Sequence, residues 1–233
     1  VSKKKPSEQK NDGLSDVEAA ERFEKDYRLS NSSLISDTFR GVHKSTVRCR
    51  ACEHESVVFE SFLDLSLPIP AGKQKCTIFE CLALYLRGEP VEWKCDQKGC
   101  RNQAADKKID IWMLPKVLVI HLKSFKQDSV LREKLVNHVD FPVQKSLDLS
   151  SYARSGQSPP PYKLYAVTIH TGTMDGGHYT AICRNPAHLA EEKWFKFDDH
   201  DVKDYFDEGA RLHTGAYILY YCDPRLLDRK NFP

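Results

Sequence analysis

Met174-Asp175-Gly176-Gly177-His178-Tyr179-Thr180-Ala181 is the stretch on which the fold turns. Two glycines ahead of a histidine allow backbone conformations that other residues disfavour, and they leave room for a substrate chain beside the imidazole. Gly-Gly-His-Tyr opening a strand sets His178 at the floor of a narrow cleft. Downstream, Trp194-Phe195-Lys196-Phe197-Asp198-Asp199 reads as a strand ending in two carboxylates. An aspartate there can accept the second ring N–H of the imidazole, fix its tautomer and stabilise the imidazolium that forms when the ring deprotonates a nucleophile. A lone histidine is more often a plain core or surface residue; here the glycine pair, the strand and the aspartates converge on chemistry.

Working outward, four strands are expected at Lys163 to Ile169, His178 to Cys183, Trp194 to Phe197 and Ala216 to Tyr221. Before them, Val117 to Leu122 is a fully apolar run past Pro115, the pattern of a strand buried on both faces. Lys44 to Cys49 and Val57 to Leu67 read as extended, with Phe59, Leu63, Leu65 and Leu67 on one side. Two capping boxes, Ser15 with Glu18 and Thr77 with Glu80, announce helices. The first carries Val17, Ala20, Phe23 and Tyr27 at helical spacing, and the second ends near Gly88 and Pro90. Two helices against many strands make the fold class α+β with a mostly antiparallel sheet.

The eight cysteines are unevenly placed. Cys49 and Cys52 form one tight pair and Cys95 and Cys100 another, a grouping that suits a metal better than a disulfide framework or four free thiols. Short loops present both sulfurs of each pair to one ion, and Gly99 eases the longer loop. Four sulfurs fill a tetrahedral zinc, so the expected role is structural, with no position left for water or substrate. His54 is set aside as a surface residue, His121 as a hydrogen-bonded core residue and His200 as solvated, while His170 is a candidate for the same cleft as His178.

The 35 basic and 33 acidic residues nearly cancel, so no overall field draws the chain to nucleic acid or to an anionic membrane. No apolar run is long enough to span a bilayer and the Lys-rich start lacks the apolar stretch of a signal peptide, so a cytoplasmic protein is expected, with Lys3 to Lys5 as a weaker nuclear reading.

The order and wording of these segments resemble the ubiquitin-specific protease family. Ser33 to Gly41 is similar to the approach to that family's fingers, the paired cysteines to its zinc knuckles, and Leu114 to Lys123 and Val139 to Pro142 to its palm. Gly176 to Ala181 and Trp194 to Val202 resemble its histidine box, and Ala216 to Tyr221 its last strand. The resemblance runs from about Ser15 to Tyr221. It implies a papain-like cysteine protease fold with a zinc-stapled finger subdomain: 1–13 a flexible linker, 14–30 a helix ending the thumb, 31–113 fingers, 114–223 palm and 224–233 a tail. It further implies a thiol protease, a hydrolase acting in deubiquitination on the isopeptide bond after ubiquitin's diglycine. His178 is then the general base and Asp198 its orienting residue, with Asp199 assisting at the oxyanion. Gly176, Gly177, Tyr179 and His170 border the channel for the ubiquitin tail.

Three features depart from that pattern. The family's nucleophile sits in an Asn-Thr-Cys-Tyr type motif opening a helix, and this sequence has none. With four cysteines given to zinc, Cys76, Cys81, Cys183 and Cys222 remain, and none has the matching neighbours. Ser124 stands where the family commonly has arginine, and the Cys95 to Cys100 loop is longer. The expectation is a chain that is inactive alone, whose cysteine-bearing thumb segment was removed or lies on another chain, and whose partners are ubiquitin and ubiquitinated proteins. The alternative is a non-catalytic ubiquitin-binding or zinc interaction module.

Overall fold

The computed structural model describes residues 11, 13–127, 132–134, 138–156, 159–173, 176–184, 193–206, 212–213 and 215–227. Apart from Asn11 and Gly13, the linker read over 1–13 lies outside them, as does the tail beyond residue 227. In chain order the helices are α1 (Asp16–Asn31), α2 (Leu34–Phe39) and α3 (Ile78–Tyr85). The strands before α3 are β1 (Gly41–Cys49), β2 (Glu55–Phe62), β3 (Leu65–Pro68) and β4 (Lys75–Thr77). Those after it are β5 (Glu89–Glu92), β6 (Ala104–Met113), β7 (Val117–Lys123), β8 (Phe125–Gln127), β9 (Arg132–Lys134) and β10 (His138–Asp140). The last five are β11 (Lys163–Gly172), β12 (Gly177–Arg184), β13 (Trp194–Asp198), β14 (Asp201–Tyr205) and β15 (Ala216–Cys222).

The chain divides into two compact units, one of Val1–Phe62, Leu86–Pro115 and Ser151–Ser158, the other of Leu63–Tyr85, Lys116–Ser150 and Pro159–Pro233. The first is built on a sheet ordered β2-β1-β6-β5. Its helix α1 starts where the capping box requires: Ser15 accepts from the Glu18 amide and Glu18 accepts from the Ser15 amide. Ala19, Ala20 and Phe23 of α1 pack with Val42, Phe59 and Trp112, the Phe59 and Trp112 rings meeting edge to face at 5.2 Å. Arg40 ties the helix to the start of β1 by a 2.6 Å pair with Glu24, its guanidinium lying over the Tyr27 ring. A short third helix, α2, was not expected. It rests on Ser33 and Ser36, whose hydroxyls cap each other's amides, a weaker signal than Ser or Thr with Glu three residues on.

The stretch Val57 to Leu67 is not one strand. It breaks after Phe62, Leu63 points to solvent, and Leu65 and Leu67 restart as β3 in the other unit. The expected face of Phe59, Leu63, Leu65 and Leu67 therefore fails at Leu63, because Phe62 is the residue that buries.

The second unit is a seven-stranded sheet ordered β14-β13-β12-β11-β15-β7-β3, antiparallel throughout except for the β3 and β7 pair. Leu118, Ile120 and Leu122 of β7 are fully buried while Val119 and His121 are half-buried. His121 is hydrogen-bonded as expected, its Nδ1 3.0 Å from Ser66 Oγ, but it is half-buried rather than in the core, and with Val119 it leaves one face of β7 only partly covered. Tyr221 has no exposed surface, yet its hydroxyl donates to the Pro142 carbonyl at 2.8 Å, so its burial leaves no polar group unsatisfied. Helix α3 packs beside β3, opened by Thr77 and Glu80 in the reciprocal capping geometry.

Candidate active site

Two hairpins of the seven-stranded sheet bring the site together. Strand β12 leaves a turn that joins it to β11, with Gly172 opposite Gly177 and His178 opposite Thr171. Strand β13 runs back beside β12, with Phe197 opposite Ala181, and ends at Asp198. A two-residue connection, Asp199 and His200, then closes onto Asp201 of β14. Asp199 takes φ of +52°, a left-handed conformation that aspartate tolerates better than bulkier residues and that such tight hairpins require. The hairpin end therefore fixes where Asp198 stands.

His178 Nε2 lies 2.6 Å from Asp198 Oδ1. In the neutral ring Nε2–H donates to the carboxylate and the lone pair is on Nδ1, leaving that nitrogen as the base. His178, Asp198 and Asp199 each offer an atom within 4.8 Å of the others, so the predicted trio is assembled. Lys196 was missed. It sits two residues before Asp198, hence on the same face of β13, and its Nζ lies 2.7 Å from Asp198 Oδ2. Its spacing could have revealed it, but a strand lysine carries no signal of its own.

The charges set the titration. Lys196 first and His178 next hold the Asp198 carboxyl down at about 2. Asp198 in turn raises His178 above its ordinary value, with Asp199 adding to the effect and Lys196 opposing it. A raised histidine favours folding most while the ring is charged in both states. That contribution is full below the ordinary value of 6.5 and is lost as pH rises through the folded value. Removing the opposing lysine with Lys196→Met is expected to raise the His178 pKa further, followed by NMR of its ring proton through a pH titration. An unchanged or lowered value would show that Lys196 does not act on the ring.

On the face of β12 opposite His178, and so not beside it as the sequence suggested, the buried His170 ring packs on Tyr179 at 4.6 Å, and both face Tyr217 of β15. Tyr217 had no local sequence signal, because only the β11 to β15 pairing brings it here. The glycine pair has two uses rather than one. A side chain on Gly176 would meet only open space, in keeping with a channel wall. At Gly177 a Cβ would overlap the His170 ring and crowd the Thr171 carbonyl. The room expected there for substrate is filled by an imidazole. Gly177→Ala is therefore expected to destabilise the chain by about 1–3 kcal/mol as backbone or His170 moves aside. An unshifted urea midpoint would count against that fit.

Neither cysteine of the seven-stranded sheet lies near His178. Cys183 is five residues along β12, roughly 16 Å away, and on the opposite face. Cys222 pairs with Lys163, eight residues along β11 from the Thr171 that faces His178, or roughly 26 Å. Burial pushes its thiol up to about 12. Cys76 and Cys81 are buried and lie against each other at 3.8 Å.

The other predicted group is the cysteine cluster of the first unit. Cys49 ends β1, Cys52 lies in the turn after it, and Cys95 and Cys100 lie in the loop between β5 and β6. All four Sγ atoms fall within 4.8 Å of one another, with Cys49 and Cys100 at 3.8 Å and Cys52 and Cys95 at 3.6 Å. Sulfurs about 2.3 Å from a tetrahedral zinc stand about 3.8 Å apart, so the donor set fits that ion. Amides of Cys52 and Ala51 point at Cys49 Sγ and bring its thiol down to about 6. Gly99 is left-handed, as its turn requires. His54 is not a plain surface residue: its Nε2 meets Asp96 at 2.9 Å and its ring stacks on Trp93, steadying the two knuckles.

Fold and site together define an α+β protein of the papain-like cysteine protease type, with a finger sheet carrying the four-cysteine cluster. The family model described as ubiquitin carboxyl-terminal hydrolase matches residues 6–221. Drosophila melanogaster Usp2 is 37% identical over 90% of this chain and 22% of its own, and Gallus gallus ubiquitin carboxyl-terminal hydrolase 2 is 36% identical over 90% and 58%. The yeast SAGA DUBm structure superposes with a TM-score of 0.70 at 29% identity, covering 85% of this chain and 44% of that one. The SAGA Ubp8/Sgf11/Sus1/Sgf73 module bound to ubiquitin aldehyde gives 0.66 at 27% identity, over 87% and 47%. The chain thus spans between 22% and 58% of the length of these relatives. It belongs to the ubiquitin carboxyl-terminal hydrolase family, among its ubiquitin-specific proteases.

Proposed function

We propose that this chain supplies the histidine and aspartate half of a thiol-dependent deubiquitinase, together with the surface that cradles ubiquitin, and that its nucleophilic cysteine comes from an N-terminal thumb segment. The observation that carries this reading is the 2.6 Å contact of His178 Nε2 with Asp198, which leaves Nδ1 to face a thiol. A thiolate attacks the carbonyl of the last glycine of ubiquitin's diglycine, and protonated His178 gives its proton to the departing amine. The acyl-enzyme is then opened by a water that His178 deprotonates. Asp198 holds the ring in place throughout. Asp199 would assist at the oxyanion through a water that it orients, since its own charge repels an oxyanion. Gly176, Gly177 and Tyr179 border the channel for the ubiquitin tail, with His170 packed behind Gly177. The chain alone is expected to be inactive, because it carries no Asn-Thr-Cys-Tyr type motif and neither cysteine of the seven-stranded sheet lies near His178.

Zinc is the metal proposed for Cys49, Cys52, Cys95 and Cys100. It would clamp the tips of the finger strands, and with all four positions filled it takes no part in hydrolysis.

Calorimetry with intact ubiquitin and with ubiquitin lacking its terminal Gly-Gly separates this reading from a binding module that ignores the tail. Weaker binding of the truncated form, with loss of the His178 ring-proton shift seen for the intact one, is the expected result. Equal affinity for both would place the tail elsewhere and sink the assignment of the channel.

A further inference from the structure

Among the described residues, the second unit holds one more cluster of metal-binding side chains, distinct from the catalytic pair. His138 and Asp140 project from the same side of β10, two residues apart. His213 comes from the turn before β15, and each of the three offers a ligand atom within 4.8 Å of the others. We propose that His138, Asp140 and His213 form a second divalent metal site, of the class that takes zinc, joining β10 to the turn that leads into β15.

The surroundings hold the three groups in place. Strand β10 is fixed by parallel pairing with β4, where Val139 lies opposite the buried Cys76. His213 is only 9% exposed, and its ring is packed between Phe141 at 4.5 Å and His138 at 5.1 Å. Its Nδ1 lies 3.2 Å from the Val139 carbonyl. In the neutral ring Nδ1–H donates there and the other nitrogen keeps its lone pair. A backbone carbonyl holding one ring N–H in this way is what commonly orients metal-binding imidazoles. Asp140 Oδ1 stands 3.8 Å from His213 Nδ1 and adds the negative charge a cation needs. Lys75, paired with His138 across the strands, opposes a cation.

Two imidazoles and one carboxylate suit zinc and its neighbours rather than calcium or magnesium, which prefer an all-oxygen shell. Around a tetrahedral zinc the ligand atoms would stand about 3.4 Å apart, so they must draw in by at most about 1.5 Å, a side-chain motion. Asp140 is exposed, so the fourth position opens to water.

The test is zinc titration of the metal-stripped chain against a chromogenic chelator. Two zinc ions per chain are expected, the weaker one lost as the medium is acidified and the imidazoles protonate. His138→Gln and Asp140→Asn should each leave one zinc, held by the cysteines. These two positions are less buried than His213, and circular dichroism checks that both variants fold. Cobalt in the second site should add no thiolate charge-transfer band. A wild-type chain that takes one zinc only, or folded variants that still take two, would overturn the proposal.

Discussion

His178→Ala, in the chain combined with a cysteine-bearing thumb segment, is expected to lower cleavage of a ubiquitin–lysine isopeptide substrate about 100- to 10,000-fold, the range that a positioned general base contributes. Asp198→Asn should lower it less while leaving KM near its starting value, because the amide still holds the ring but no longer stabilises its charged form. The split between kcat and KM matters here. A loss confined to KM would mean that the two residues bind the ubiquitin tail rather than act on it. His178 is exposed on its strand and Asp198 ends a hairpin, so neither change should alter the unfolding midpoint much, and a large shift would show that lost activity reflects lost folding.

Removing the metal from the cysteine cluster is expected to have the largest structural effect. Ligand binding to a structural zinc is worth on the order of 10 kcal/mol or more, and the loops bearing Cys52, Cys95 and Cys100 have little apolar core of their own. The cluster of Ala19, Ala20, Val42 and Phe59 lies toward the opposite end of β1 from Cys49. Chelation, or Cys95→Ser, should therefore raise amide exchange in Arg48 to Glu55 and Glu92 to Asp106, around the knuckles, while β11, β12 and β13 keep their protection. Uniform exchange before and after chelation would remove the structural role assigned to the four sulfurs.

Much of this architecture was legible because its signals are local. The capping boxes at Ser15 and Thr77, the glycine-opened strand at His178 and the cysteine pairs each declare themselves within a few residues, and the structure shows them as read. Helix α2 was missed because two serines cap it where a glutamate would have marked it. The break at Leu63 was missed because alternation of apolar residues continues across it even though the strand does not. Lys196 and Tyr217 reach the site through a shared strand face and through the pairing of β11 with β15, and such relations are set by tertiary register. Gly177 is the instructive position: a glycine before a histidine suggested space for a ligand, whereas the space is filled by His170, seven residues back on the neighbouring strand.

The most direct measurement mixes this chain with a separately produced thumb segment carrying an Asn-Thr-Cys-Tyr motif and adds a ubiquitin probe bearing a C-terminal electrophile. Labelling of the thumb cysteine that appears only when both pieces are present, and that is lost with His178→Ala, is the expected result. Labelling that is unaffected by His178→Ala, or tight ubiquitin binding by this chain with no labelling in the mixture, would contradict the catalytic assignment.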